Sequence, residues 1–299
     1  MASKESDFLR ALYQNWSERM AANPEMSIEG LRSLFDEWSK ATIEPEGVCY
    51  KSETVAGVNA IWGLPVDADK SKVLIFTHGG GFAVGSADSH RKLAAHFAKA
   101  LGVTCLVLDY RLAPENPYPA QIDDVIAVYK ALIAQGIEAK NISTMGDSAG
   151  GNLAISSVLK MRELNLPLPG SVIALSPWID METTGASLQT NAATDALVGA
   201  ELLAGMAGMF LGESGKANDP LTNPLYADFN NYPSLYITAG SVEALLDDAT
   251  RIHAKAKQAG VNATLSVVEG MQHVFPFMAG RAAESDAEIQ KIAAWYKGL

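Results

Sequence analysis

Gly146-Asp147-Ser148-Ala149-Gly150-Gly151 decides how the rest of the chain is read. It follows Ile142-Ser143-Thr144-Met145, a short run of strand character. It precedes Asn152-Leu153-Ala154-Ile155-Ser156-Ser157-Val158-Leu159, which reads as a helix. A G-x-S-x-G nucleophile elbow needs this strand–turn–helix setting. A serine at the apex of so sharp a turn takes a strained backbone, and its neighbours must lack bulk. Gly146 and Gly150 stand at the two flanking positions. Ser148 then projects its hydroxyl, and the helix behind it offers its N-terminus to a developing negative charge. The blander reading is a glycine-rich turn with a helix-capping serine, and it is the wider sequence that favours chemistry.

Outward from the elbow, strands and helices alternate. Upstream, Lys72–Thr77 is nearly all apolar, as a strand covered on both faces must be, and it ends in His78-Gly79-Gly80-Gly81-Phe82. A helix is expected near Ser89–Leu101, a buried strand over Thr104–Leu108 and a helix over Ala120–Ala134. Downstream, Val172–Leu175 is a strand ending in Ser176-Pro177-Trp178-Ile179-Asp180. Residues 181–232 change character, rich in Ala, Thr, Gly and Asn, with one helix near Ala200–Phe210; they read as an insertion. Strand Leu235–Ala239, helix Ala244–Ala259, strand Ala263–Val268 and helix Ala282–Tyr296 complete the series. Strands near Val48–Thr54 and Asn59–Gly63, joined at Ala56-Gly57, look like a hairpin. The pattern implies parallel βαβ units in a doubly wound α/β sheet, eight-stranded and mostly parallel. Ligands bind such sheets beyond the carboxyl ends of the strands. The glycine loop, the elbow, Trp178–Asp180, Gly240–Glu243 and Gly270–Phe275 all fall there.

Before the hairpin, Phe8, Leu9, Leu12, Tyr13 and Trp16 recur at helical spacing. Asn23-Pro24 breaks that run, and Ser27 caps a second helix carrying Ile28, Leu31, Leu34, Phe35 and Trp38 on one face. So much apolar surface covers something, either the core as a packed helix pair or the site as a lid.

Composition narrows the function. The 299 residues, 48% hydrophobic and 19% charged, suit one large domain with an added subdomain, or two small domains. A net charge of 23 − 34 = −11 argues against holding nucleic acid or an anionic membrane by charge. The polar start, Met1 to Asp7, does not read as a signal peptide, and no apolar run approaches a membrane span of ~18 residues. Cys49 and Cys105 sit in strand-like runs and are expected to be buried free thiols. A cytoplasmic setting fits these features. No cluster has metal-ligand spacing and no phosphate loop is present, so neither metal nor cofactor is expected.

The sequence resembles the hormone-sensitive-lipase family of α/β-hydrolases, in its bacterial esterase branch (family IV carboxylesterases). His78 to Phe82 matches the family's HGGGF-type loop, Gly146 to Gly151 its GDSAGG elbow, and Asp109-Tyr110-Arg111-Leu112-Ala113-Pro114-Glu115 a third signature. Gly240 to Asp248 resembles the acid loop and Gly270 to Phe275 the histidine loop. The resemblance runs from about residue 45 to the C-terminus and implies an α/β-hydrolase fold with a helical cap. The expected organisation is cap helices over 1–45, core over 46–180, a cap insertion over 181–232 and core again over 233–299.

Ester hydrolysis needs a nucleophile, a base, a group that orients the base, and donors for the oxyanion. Ser148 is the candidate nucleophile. Among five histidines, His273 alone follows the last sheet strand in a glycine-flanked loop, and it comes after the serine in the order the fold demands. Glu243 lies just past the penultimate strand and is chosen as the acid; Asp247, one turn into the helix beside Asp248, is the reserve. The family usually carries aspartate here. Ala149 should give one oxyanion N–H, and the resemblance assigns others to Gly80 and Gly81. His78 then fixes the glycine loop, Asp147 braces the turn, Arg111 and Glu115 read as a structural ion-pair region, and Asp123 and Asp124 as ordinary helix-terminus charges. Phe82, Trp178, Met181, Leu211, Val274 and Phe275 are candidates for an apolar substrate pocket. The resulting expectation is a serine carboxylic-ester hydrolase for small, hydrophobic short-chain esters. A lactone hydrolase with the same triad is the nearest alternative, an acyltransferase another, and a non-catalytic ligand receptor on the same scaffold a distant one. The partner is a small ester or lactone, with a homodimer possible.

Overall fold

The computed structural model describes residues 3–299; Met1 and Ala2, at the head of the polar N-terminal stretch, lie outside the described residues. Eight strands form one sheet in the order β1-β2-β4-β3-β5-β6-β7-β8. They are β1 (Val48–Val55), β2 (Val58–Pro65), β3 (Asp69–Thr77), β4 (Val103–Asp109), β5 (Ile142–Asp147), β6 (Ser171–Leu175), β7 (Ser234–Gly240) and β8 (Ala263–Val268). β1 pairs antiparallel with β2, and β2 antiparallel with β4. From β4 through β3 to β8 every pairing is parallel.

The helices are α1 (Asp7–Ala22), α2 (Ile28–Phe35), α3 (Ala87–Leu101), α4 (Ala120–Ala134), α5 (Ala149–Glu163), α6 (Ser187–Thr190), α7 (Ala200–Leu211), α8 (Leu246–Gln258) and α9 (Ala283–Lys297). α3 packs against α9, and α4 against α5. The chain leaves β3 through α3 for β4 on one side, then returns to place β5 on the other side of β3. Strand order therefore reverses beside β3, and the carboxyl ends of β3 and β5 open the crevice where such sheets bind ligands.

Local chemistry sets the boundaries. α3 starts at Ala87, two residues before the expected start, because Ser86 and Ser89 form a capping box; it stops at Gly102, whose φ of 77° suits only a residue without a side chain. Ser27 caps α2 by accepting the N–H of Gly30 at 3.1 Å. α6, four residues long, has no counterpart in the sequence reading, because a single turn leaves no periodicity to detect.

The N-terminal helices carry an aromatic cluster. Trp16 lies 5.0 Å from Phe35 and 5.4 Å from Trp38, ring centre to ring centre. Trp38 stacks on Phe277 at 5.4 Å and meets His90 edge-on at 5.2 Å. Arg32 of α2 reaches Glu115 with both terminal nitrogens and the carbonyl oxygens of Ala83 and Ala113 with its remaining donors. These helices thus cover both the glycine loop and the histidine loop.

Several side chains differ from their expected settings. Cys49 is exposed, since β1 is an edge strand with solvent around it; Cys105, on central β4, is buried and its thiol is pushed up to about 12 by that burial. Arg111 and Glu115 do not pair with each other. Arg111 binds Asp124 at 2.7 Å, and Asp124 also accepts the Arg111 N–H, so this aspartate is a buried anchor rather than a free helix-end charge. Arg251 pairs with Asp180 at 2.8 Å. Among the described residues no helix is long and apolar enough to cross a membrane.

Candidate active site

Ser148 sits between the last residue of β5 and the first of α5 with φ 53° and ψ −121°. Backbone held there by a non-glycine residue costs about 1–3 kcal/mol and persists only where the surroundings enforce it. Here they do. The Ser148 N–H donates to Leu175 at 2.9 Å, and its carbonyl accepts from Trp178 at 3.0 Å and Asn152 at 3.1 Å. A Cβ at Gly146 would meet the Gly150 carbonyl oxygen at 2.2 Å, and one at Gly150 would meet the Thr77 oxygen at 2.0 Å. Backbone contact this close requires glycine at both positions. The residues on either side are buried, while Ser148 itself keeps partial access.

The glycine loop stands against the elbow. Asp147 accepts the Gly79 N–H at 3.0 Å, which braces loop to elbow as expected of it. A Cβ on Gly79 would collide with that carboxylate at 2.2 Å. His78 Nδ1 lies 2.8 Å from the Gly79 oxygen, its ring stacks on Tyr110 at 4.2 Å, and the Tyr110 hydroxyl donates to the His78 carbonyl at 2.6 Å. Burial, reinforced by nearby His90, lowers the His78 pKa to about 3. A neutral, buried ring with these contacts shapes the loop. Gly80 and Gly81 have φ of 112° and 60°. Among the described residues their N–H groups donate to no main-chain or side-chain acceptor. As the first residue of α5, Ala149 has no helical carbonyl behind it to receive its N–H. Three main-chain donors are therefore left over around Ser148.

His273, in the loop after β8, is buried. Its Nδ1 stands 3.6 Å from Glu243 Oε1. That separation is too long for a hydrogen bond, yet both atoms are buried and have no other partner. Each of these two buried polar atoms therefore faces the other with no competing partner. Glu243 is held by its other oxygen, which accepts from Ser176 Oγ at 2.7 Å and from the Gly240 N–H at 2.8 Å. Ser176 Oγ in turn accepts the Val274 N–H at 3.0 Å. The Tyr13 hydroxyl of α1 donates to the His273 carbonyl at 3.1 Å. Burial opposes the imidazolium, but the Glu243 carboxylate, with Asp195 and Asp147 further off, wins and raises the His273 pKa above the ordinary value. Asp247 and Asp248 do other work: Asp247 accepts the Ser187 N–H, and Asp248 accepts those of Ile179 and Asp180.

Ser148, His273, Gly80 and Gly81 line one cavity of about 40 Å³. Its remaining walls are Trp178, Phe35 and Trp38, and Leu197, Val198, Leu202, Leu203 and Met206 from the segment between β6 and β7. Of the six expected pocket residues only Trp178 lies here. Phe82 stacks on Phe210 at 3.8 Å, and Met181 and Val274 are core. Leu211 packs against the core at the end of α7. Phe275 borders a separate cavity of about 150 Å³ behind the histidine loop, beside Leu9 and Arg10. The wall comes instead from α7, through Leu202, Leu203 and Met206. Among the described residues no three His, Cys, Asp or Glu side chains gather as a metal site.

Known proteins share this fold. Residues 74–277 match the α/β hydrolase fold family. An acetyl-hydrolase of Streptomyces hygroscopicus is 35% identical over 92% of this chain and 90% of its own length. An esterase of Acinetobacter venetianus is 32% identical over 90% of this chain and 88% of its own. The crystal structure of an esterase from the bacterial hormone-sensitive lipase family superposes with a TM-score of 0.94 at 36% identity, covering 100% of this chain and 99% of that one.

Proposed function

This chain belongs to the α/β-hydrolase fold family, in its bacterial hormone-sensitive-lipase branch, and on that premise we propose that it hydrolyses small, hydrophobic short-chain esters through an acyl-enzyme on Ser148. Carboxylic-ester hydrolysis is the activity named for relatives along most of its length. The observation that carries the residue assignment is the pair of orphaned atoms, His273 Nδ1 and Glu243 Oε1, 3.6 Å apart, with His273 lining the same cavity as Ser148.

In this mechanism His273 Nε2 takes the proton of the Ser148 hydroxyl as its oxygen attacks the ester carbonyl. Glu243 holds the Nδ1–H tautomer and offsets the positive charge on the ring. The carbonyl π electrons move onto oxygen, which the N–H groups of Gly80, Gly81 and Ala149 receive; one donor of this kind is worth about 3 kcal/mol. The tetrahedral centre collapses, the C–O bond breaks and His273 returns the proton to the departing alcohol. Water then repeats the sequence against the acyl-serine and frees the acid. The cavity supports the reading of a short acyl group. About 40 Å³ between Trp178, Leu203 and Met206 suits an acetyl or similarly short acyl group, in keeping with the acetyl-hydrolase relative.

The test is turnover of p-nitrophenyl esters from acetate to octanoate by the wild type and Ser148→Ala. We expect acetate or butyrate to lead and the variant to retain less than about one part in ten thousand of the rate. Near-normal hydrolysis by the variant would place the nucleophile elsewhere.

A further inference from the structure

Between α6 and α7 the chain runs from Asn191 to Val198 across the carboxyl ends of β7 and β8. Several of its hydrogen bonds reach residues at or beside Glu243 and His273. Asn191 Nδ2 donates to the Glu243 carbonyl at 2.8 Å, and Thr194 Oγ1 to the Val242 carbonyl at 3.0 Å. Gln272, which precedes His273, accepts the Ala196 N–H at 2.9 Å and donates to the Thr194 carbonyl at 2.8 Å. At the centre is Asp195. Its Oδ1 accepts the N–H groups of Leu197 at 2.9 Å and Val198 at 2.8 Å, and its Oδ2 accepts the N–H of Ala244 at 2.7 Å. Leu197 and Val198 wall the cavity, and Ala244 directly follows Glu243.

We propose that Asp195 is a positioning residue for the acid–base pair, joining the acyl wall of the cavity to the loop that presents Glu243. The proposal rests on the esterase reading and deepens it. The chemistry asks for a carboxylate. Three N–H donors approach from two directions, and only a side chain with acceptors at both ends answers them all. An amide offers one acceptor oxygen, so it holds the wall or the acid loop but not both. The charge acts as well. Facing His273 are Glu243 from the loop after β7, Asp147 from the elbow, Tyr13 from α1 and Asp195 itself; the three carboxylates favour the imidazolium, and Asp195 contributes to that field. Its removal weakens the hold on Glu243 and lowers the pH at which the base loses its proton.

The experiment compares wild type, Ser148→Ala, Asp195→Asn and Thr194→Val on p-nitrophenyl acetate. Rates are normalised to sites titrated by a fluorophosphonate, or for Ser148→Ala, which offers no such site, to protein concentration, and kcat/KM is followed from pH 5 to 9. Asp195→Asn is expected to lose about tenfold in kcat per titrated site, the scale of one hydrogen bond to a charged group, with the acid limb moved to lower pH. Thr194 is exposed, so Thr194→Val folds; it should lose activity in the same direction by a smaller factor, with no movement of the limb. A wild-type kcat per site or an unmoved limb in Asp195→Asn overturns the proposal, as does a loss that vanishes on normalisation. If Asp195→Asn cannot be purified folded, a wild-type rate in Thr194→Val overturns it. Equal rates in wild type and Ser148→Ala would instead place the nucleophile elsewhere and remove the Ser148 mechanism, and the proposal with it.

Discussion

Ser176 serves two loops with one oxygen. Its hydroxyl donates to Glu243 and accepts the N–H of Val274, so the acid and the residue after the base share a single anchor. Ser176→Ala removes both bonds. One of them goes to a carboxylate, and losing such a bond costs about 1.5–3 kcal/mol, or roughly 10- to 100-fold in kcat if it falls on the transition state. Steady-state kinetics checks this, with KM expected to move little. The pH profile follows from His273. Its pKa is raised, chiefly by Glu243 against the pull of burial, and the base works only when neutral. Activity must therefore fall as pH drops through a limb above the ordinary histidine value, and Glu243→Gln should move that limb downward. Ser148, Glu243 and His273 can be picked from sequence because each follows a strand whose end the fold fixes. Ser176 also follows a strand, but no motif in its stretch marks a role for it, and Asp195 follows no strand at all. Their meaning lies in partners 67 and 49 positions away, and a lone serine or aspartate carries no local mark of such a contact.

At the scale of elements, the elbow is where backbone meets backbone. A Cβ on Gly150 would lie 2.0 Å from the Thr77 oxygen and 2.5 Å from that of His78. Neither is a flexible side chain, so Gly150→Ala must push β3 and the glycine loop away from α5. We expect a loss of about 3 kcal/mol or more in stability, read as a lower urea midpoint at unchanged m-value, together with a severe loss of activity. Strand–helix alternation from Lys72 onward was plain in the sequence because apolar runs ending in glycine have few other uses. β3 begins at Asp69 rather than Lys72, since its polar first residues are exposed and look like loop. The acyl wall was harder to read. An alanine- and glycine-rich helix such as α7 shows its buried side only once something packs against it.

At the scale of the whole molecule, the N-terminal helices reach the candidate site. Tyr13 bonds the His273 carbonyl, Trp38 donates to that same hydroxyl at 3.2 Å, and Phe35 and Trp38 wall the cavity. Their apolar faces were evident from periodicity, but periodicity does not tell a core layer from a cover; here the same aromatic rings do both. Deleting residues 1–40 is expected to lower Tm by several degrees or more, expose apolar surface that binds ANS, and cut kcat at least about tenfold. Full solubility with an unchanged acyl profile would contradict that. The edge of the sheet has its own practical corollary. Cys49 is an open thiol on β1, four strands from β5 and so about 19 Å away across the sheet at the usual spacing. With the other thiol sealed inside β4, aerobic storage can crosslink two copies only through this position. Sizing experiments therefore belong in reductant, and a maleimide dye will label the protein once, at a margin remote from the chemistry.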